Sequence, residues 1–175
     1  MIIIDKAIAG VRASALAAFL RRAQRAAKLA GDVNVLVTKS RQMQRLNRRF
    51  RGKDKPTDVL SFPANGLPEG RVAGDIAISA EIARDNARRR GHSLTEEIQI
   101  LILHGVLHLA GYDHEQDDGR MALNEARLRK SLALPVGLIE RCDSTLFTTK
   151  DTKVTKKIKK SRRKLPRTRG ARANR

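Results

Sequence analysis

Cysteine is nearly absent from this sequence: Cys142 is the only one in 175 residues. One thiol closes no internal disulfide, which excludes a small secreted disulfide scaffold and favours a reducing, cytoplasmic setting. Aromatic residues are scarce as well, with no tryptophan, one tyrosine and four phenylalanines. Proteins that read single strands by stacking bases use aromatic side chains, so any nucleic-acid contact is expected through backbone and shape, with affinity that falls steeply with salt. No segment approaches the ~18 uninterrupted apolar residues of a helical membrane span, so no membrane partner is expected. The early apolar stretch at 7–20 is interrupted by Arg12, and its one preceding cation, Lys6, is offset by Asp5. It reads as a helix rather than a leader peptide.

What the chain has instead is positive charge. Lys+Arg outnumber Asp+Glu by 37 to 18, a formal net charge of +19, and the excess is unevenly placed. Residues 150–175 hold 13 of the basic side chains and one acid, which leaves the rest of the chain only mildly basic. From residue 143 the apolar content collapses, and such a segment buries too little surface to offset its ordering entropy. The expected organisation is one globular domain over residues 1–142 and a disordered basic tail over 143–175. That tail has the charge of an arm for nucleic acid, or of a non-specific polyanion binder.

Periodicity supplies the elements. Residues 1–4 read as a short buried strand and 12–30 as a helix stopped by Gly31. Val33, Val35 and Val37 alternate with Asn34, Leu36 and Thr38 in a strand over 32–39. Ser40 is placed to cap the next helix, whose narrow apolar stripe is Met43, Leu46 and Phe50 and whose end is Gly52. Strands follow over 57–62 and 72–78, joined by a turn at 65–70, and Gly74 breaks the second. Helices then run over 79–90, 93–110 and roughly 117–132; Ser93 with Glu96 forms a capping box for the middle one, which ends near Gly111. The fold class is α/β (α+β): a four-stranded sheet packed with about five helices.

Three of the four histidines fall within eleven residues, HGVLHLAGYDH, as His104, His108 and His114. His104 and His108 are one helical turn apart and share a face. Gly111 lets the chain leave the helix in a left-handed turn and swing His114 back toward them. Three imidazoles with a fourth position open form the ligand set of a catalytic zinc site, one Zn²⁺ per chain, with nickel, copper or iron as alternatives. The spacing matches the metzincin peptidase pattern H-E-x-x-H-x-x-G-x-x-H except at one position, where Gly105 stands in place of the glutamate base. A metal site survives that comparison, and a peptidase mechanism is weakened. Asp113 and Glu115 flank the third histidine as candidate orienting groups or as turn caps. His92, in a turn, is expected to be merely solvated.

A second cluster precedes the third strand: Arg45, Arg48, Arg49, Arg51, Lys53 and Lys55 supply six cations in eleven residues. Most suit a solvated helix face. A phosphodiester substrate needs cations near a metal, and Arg51, beside Gly52 in a turn, is the candidate catalytic residue whose planar fork could grip two phosphate oxygens.

Taken together, HGVLHLAGYDH at 104–114, RGKDKPTDVLSFP at 51–63 and GDIAIS at 74–79 resemble the bacterial YbeY family of rRNA maturation endoribonucleases, over most of residues 30–132. The resemblance implies a four-stranded mixed sheet and a zinc-dependent enzyme that cleaves single-stranded RNA. It further implies maturation of the 3′ end of small-subunit (16S) rRNA and quality control of 70S ribosomes. The partners so implied are single-stranded rRNA and the small subunit or 70S ribosome, with no DNA. The family's metal ligands carry over to His104, His108 and His114, and its functional arginine to Arg51. The basic tail lies outside the resemblance. Two other readings use the same residues: a metzincin-like metallopeptidase, and a non-catalytic ribosome assembly factor with structural zinc. The nucleophile for RNA cleavage is open between water and the 2′-hydroxyl.

Overall fold

The computed structural model describes residues 1–5, 8–64, 72–114 and 117–135. The basic tail, Cys142, Glu115 and the turn at 65–70 lie outside the described residues. In chain order the elements are β1 (Ile2–Ile4), α1 (Ala13–Ala27), β2 (Asp32–Thr38), α2 (Ser40–Arg51), β3 (Val59–Pro63) and β4 (Val72–Ser79), then α3 (Ala80–Arg90), α4 (Leu94–Leu109) and α5 (Arg120–Ser131). The strands form one sheet in the order β1-β2-β4-β3, with β1, β2 and β4 parallel and β3 antiparallel to β4. Among the described residues it is therefore a mixed sheet with five helices, as expected. No helix among the described residues is long and apolar enough to cross a membrane.

Strand alternation divides the apolar side chains between two faces. Val33, Val35 and Val37 of β2 join Ile76 and Ile78 of β4 in the main core, together with Leu16 and Leu20 of α1, Met121 and Leu128 of α5, and most of α4. From Ile98 to Leu107 every side chain of α4 but that of Gln99 is buried. Such a helix, apolar nearly all round, belongs at the centre of a domain. The opposite face carries a smaller cluster, Met43 of α2 against Leu60 and Ala77, with Leu46 and Phe62 beside it.

Three local expectations are corrected. First, α1 stops at Ala27, with Lys28 in the left-handed region at φ 56°, whereas Gly31 serves a close approach: a Cβ there would lie 2.9 Å from the Ala73 nitrogen. Second, the N-cap of α2 is Lys39, which makes no side-chain cap bond, while the Ser40 hydroxyl pairs with that of Ser79 at 2.8 Å. Ser79 is itself the N-cap of α3, so a contact between distant chain segments displaces the local cap. Third, β3 begins at Val59 rather than 57, because Asp58 accepts from the Val59 N–H at 2.9 Å and from the Thr57 hydroxyl, turning the chain into the strand.

Gly74 does interrupt β4, and the cause is steric. The register between β2 and β4 shifts at Asp32/Val33, Gly74 has φ 147°, and a Cβ there would run into the Phe62 carbonyl oxygen across β3. Only glycine tolerates both conditions.

Candidate metal centre

The register of the histidines is set at the far end of α4. The Ser93 hydroxyl accepts from the Glu96 N–H at 3.2 Å, and the Glu96 carboxylate accepts from the Ser93 N–H at 2.8 Å. This reciprocal cap fixes where the helix starts, and 3.6 residues per turn then brings His104 and His108 onto one face. At the other end the Gly111 N–H donates to the His108 carbonyl at 3.0 Å and the Tyr112 N–H to the Leu107 carbonyl at 3.1 Å, with Gly111 at φ 88°. That pair of bonds is the Schellman arrangement, which reverses the chain after a helix. It returns His114 to the other two rings.

The three ring centroids are 4.7, 5.3 and 5.3 Å apart. One nitrogen from each ring lies within 4.8 Å of the others, and the Nε2 atoms of His104 and His108 are 3.1 Å apart. The three residues can hold a metal ion. Burial pushes the His108 imidazole down to about 4, and the neighbouring His104 and His114 act in the same direction while Asp113 opposes them. At neutral pH that ring is uncharged and its lone pair is available to a metal.

His104 has a partner that the sequence reading did not single out. Its Nδ1 lies 3.2 Å from Oε2 of Glu125 on α5, and both side chains are almost fully buried. With Nδ1–H donating to the carboxylate, Nε2 is left to face the cluster, the usual arrangement behind a metal-bound imidazole. A signal was present: Met121, Glu125 and Leu128 recur at helical spacing, and Glu125 is the one charged residue on that buried stripe. Glu125→Ala is expected to weaken divalent-metal binding by roughly 10- to 100-fold. Competition against a chromophoric chelator measures this, and unchanged affinity would deny the carboxylate a role at the metal.

His92 is not solvated. Its Nε2 lies 2.6 Å from Oε2 of Glu97, with side-chain exposures of 8% and 0%, so the pair closes the junction of α3 and α4 away from the three-histidine cluster. The expectation failed because Glu97 is one turn into α4 and invisible to a reading of the turn alone.

Gly105, where a metzincin would carry its glutamate, faces the sheet. A Cβ at this position would lie 2.8 Å from Cδ1 of Ile76, a fully buried residue of β4. A longer side chain there would be forced into the core. Asp113 remains beside the cluster, its carbonyl accepting from the Asp117 N–H at 2.9 Å.

Arg51 is the exposed last residue of α2, followed by Gly52 at φ 66°. Its side chain makes no hydrogen bond or ion pair among the described residues, and none joins it to the histidines. The loop after it is held by the buried Asn47, which donates to the Lys55 carbonyl at 2.7 Å. Arg45, Arg48, Arg49, Lys53 and Lys55 are exposed. Arg48 approaches Asp54 at 3.9 Å with both groups largely in solvent, a pair worth little.

Comparison with known proteins gives a consistent result. A family model described as Endoribonuclease YbeY matches residues 3–133. The chain is 56% identical over 160 residues to a protein of that name from Koribacter versatilis, covering 91% of this chain and 99% of the relative. It is 50% identical over 139 residues to another from Solibacter usitatus, covering 79% and 92%. A Thermotoga maritima protein solved in solution aligns at 33% identity with a TM-score of 0.51, covering 75% of this chain and 89% of that one.

Proposed function

This chain belongs to the YbeY family of endoribonucleases, and from that membership we propose that it cuts single-stranded RNA with one zinc ion held by His104, His108 and His114. The observation that carries the proposal is the convergence of three imidazoles with a carboxylate behind the first. The nitrogens of the three rings lie within 4.8 Å of one another, 3.1 Å for Nε2 of His104 and His108, close enough that all three would serve as ligands to one ion. Zinc in such a site supplies Lewis-acid chemistry at neutral pH. The protein's own contributions are positional and electrostatic. Glu125 fixes the tautomer and tilt of His104, burial keeps His108 neutral, and Arg51 holds the scissile phosphate with its fork of N–H donors.

Two rival chemistries lose ground on particular residues. A peptidase needs a carboxylate base where Gly105 packs against Ile76, and a purely structural zinc would be closed by a fourth protein ligand, whereas among the described residues the cluster has three. Resemblance to the family extends the proposal to the 3′ end of 16S rRNA, with the small subunit or 70S ribosome as partner and the cytoplasm as its place. In this reading residues 1–142 are the enzyme and 143–175 an arm that raises the local concentration of rRNA.

The test is cleavage of an end-labelled single-stranded RNA, the same sequence as a duplex, and casein, by full-length protein loaded with zinc or stripped with chelator. Expected is cutting of the single strand alone, lost on stripping and restored by zinc. RNA cleavage that persists in chelator, or metal-dependent proteolysis of casein, would overturn the proposal.

A further inference from the structure

The face of the sheet that packs α2 carries a groove that the histidine centre does not use. It encloses about 520 Å³, lined by Ile3, Leu36, Leu46, Phe50 and Phe62, with Asn34 and Asp75 hydrogen-bonded to each other at 2.9 Å. A second groove of about 510 Å³ shares Ile3 and Leu36 with it and is lined by Lys39, Arg41 and Arg45, against one acid, Asp5. The two make a continuous track, apolar at one end and cationic at the other.

Phe50 stands at the apolar end. It is 55% exposed, although large aromatic side chains are the chief apolar payload of a core. Its ring is held rather than loose: Phe62 meets it edge-on with centroids 5.0 Å apart, and the Arg49 guanidinium carbon sits 5.3 Å from its centroid. The helix that presents it carries five arginines and no acid. An oriented, solvent-facing ring among arginines is the equipment of a base-stacking platform, and a cationic track beside it suits a phosphate backbone.

We propose that this track is a second RNA-contact site, in which one base of a single strand stacks on Phe50 while adjoining phosphates lie against Lys39, Arg41 and Arg45. The inference rests on the endoribonuclease reading and adds a subsite to it. It also revises the expectation from composition that contact is through backbone and shape alone: aromatics are few, but one is placed on the surface where it can stack. A protein partner with an acidic, apolar segment would fit the charge. It gives no reason for a half-exposed ring oriented beside arginines. The last strand of the sheet, β3, sends Phe62 to the groove and Val59 to the α4 side, so a bound strand would pass around its edge to reach both faces.

The chain contains no tryptophan, which makes Phe50→Trp a direct probe. In zinc-loaded full-length Phe50→Trp protein, a single-stranded RNA ten-mer is expected to quench the emission, and an abasic ten-mer of equal charge to leave it unchanged. By fluorescence anisotropy, Phe50→Leu is expected to raise the Kd for the ten-mer roughly 5- to 100-fold with an unchanged salt slope. Arg41→Gln is expected to lower that slope by about one. Both positions are exposed, and melting curves check that the variants fold. Wild-type protein that cuts RNA while Phe50→Leu binds it equally well would overturn this site alone and assign the face to a protein partner. Wild-type protein that neither binds nor cuts RNA would overturn the endoribonuclease reading and this site together.

Discussion

His108→Ala protein is expected to purify without metal and to cut single-stranded RNA at a rate lowered on the order of 10³-fold or more. Removing one of the three converging imidazoles would leave only His104 and His114 to hold the ion. The loss should be confined to the site. His108 lies near the end of α4 and is only part-buried, whereas the residues that anchor the helix, Ile98 to Leu107, are untouched. A cooperative melt with absent zinc and absent cleavage is therefore the expected combination, read by plasma mass spectrometry and RNA cleavage on the same sample. The assembly-factor reading predicts otherwise: His114→Ala would lower the melting temperature and leave RNA processing as it was. Zinc retained in His108→Ala with cleavage unchanged would mean that a contaminating nuclease was assayed, and would move the function to that rival.

What could be read from the sequence was what local physics controls. The alternation of Val33, Val35 and Val37, the Ser93/Glu96 box and the glycine after α4 each act within a few residues, and each appears in the structure as read. The His104/His108 pair follows from helical period, and His114 joins it because the Schellman turn at Gly111 is equally local. The remainder depends on contacts between distant segments. Glu125 meets His104 only because α5 packs on α4, whereas His92 reaches Glu97, five residues on, across the turn between α3 and α4. Ser40 looked like a cap until Ser79, 39 residues away, claimed its hydroxyl. Strand order has the same character, since no local pattern says that β4 inserts between β2 and β3. Gly105 shows the same dependence at the centre of the site. Sequence says that the metzincin glutamate is missing, and the structure adds that the position turns toward Ile76, where a carboxylate would be driven against a buried apolar side chain.

Arg51→Ala is expected to retain zinc and lose about 10²- to 10³-fold in kcat, the size of effect seen when one donor to a developing oxyanion is removed. Its neighbours make the prediction selective. Arg48 and Arg49 carry the same charge on the same turn, but Arg48 lies 3.9 Å from Asp54 in a weak, solvent-exposed pair and Arg49 lies over Phe50, whereas Arg51 makes no ion pair or ring contact among the described residues. Gly52 in the left-handed region ends the helix immediately after Arg51, and Asn47 pins the following loop through the Lys55 carbonyl, so the side chain projects from a fixed corner. If charge alone mattered, Arg51→Lys would restore activity; if the planar fork grips two phosphate oxygens, lysine recovers only part of it. The split between kcat and KM decides the role. A fall in kcat at constant zinc content places the guanidinium on the transition state, while a rise in KM with kcat unchanged reduces it to one more cation for the RNA backbone. Arg48→Ala is the internal control, expected to change the salt slope of binding and leave kcat within about twofold.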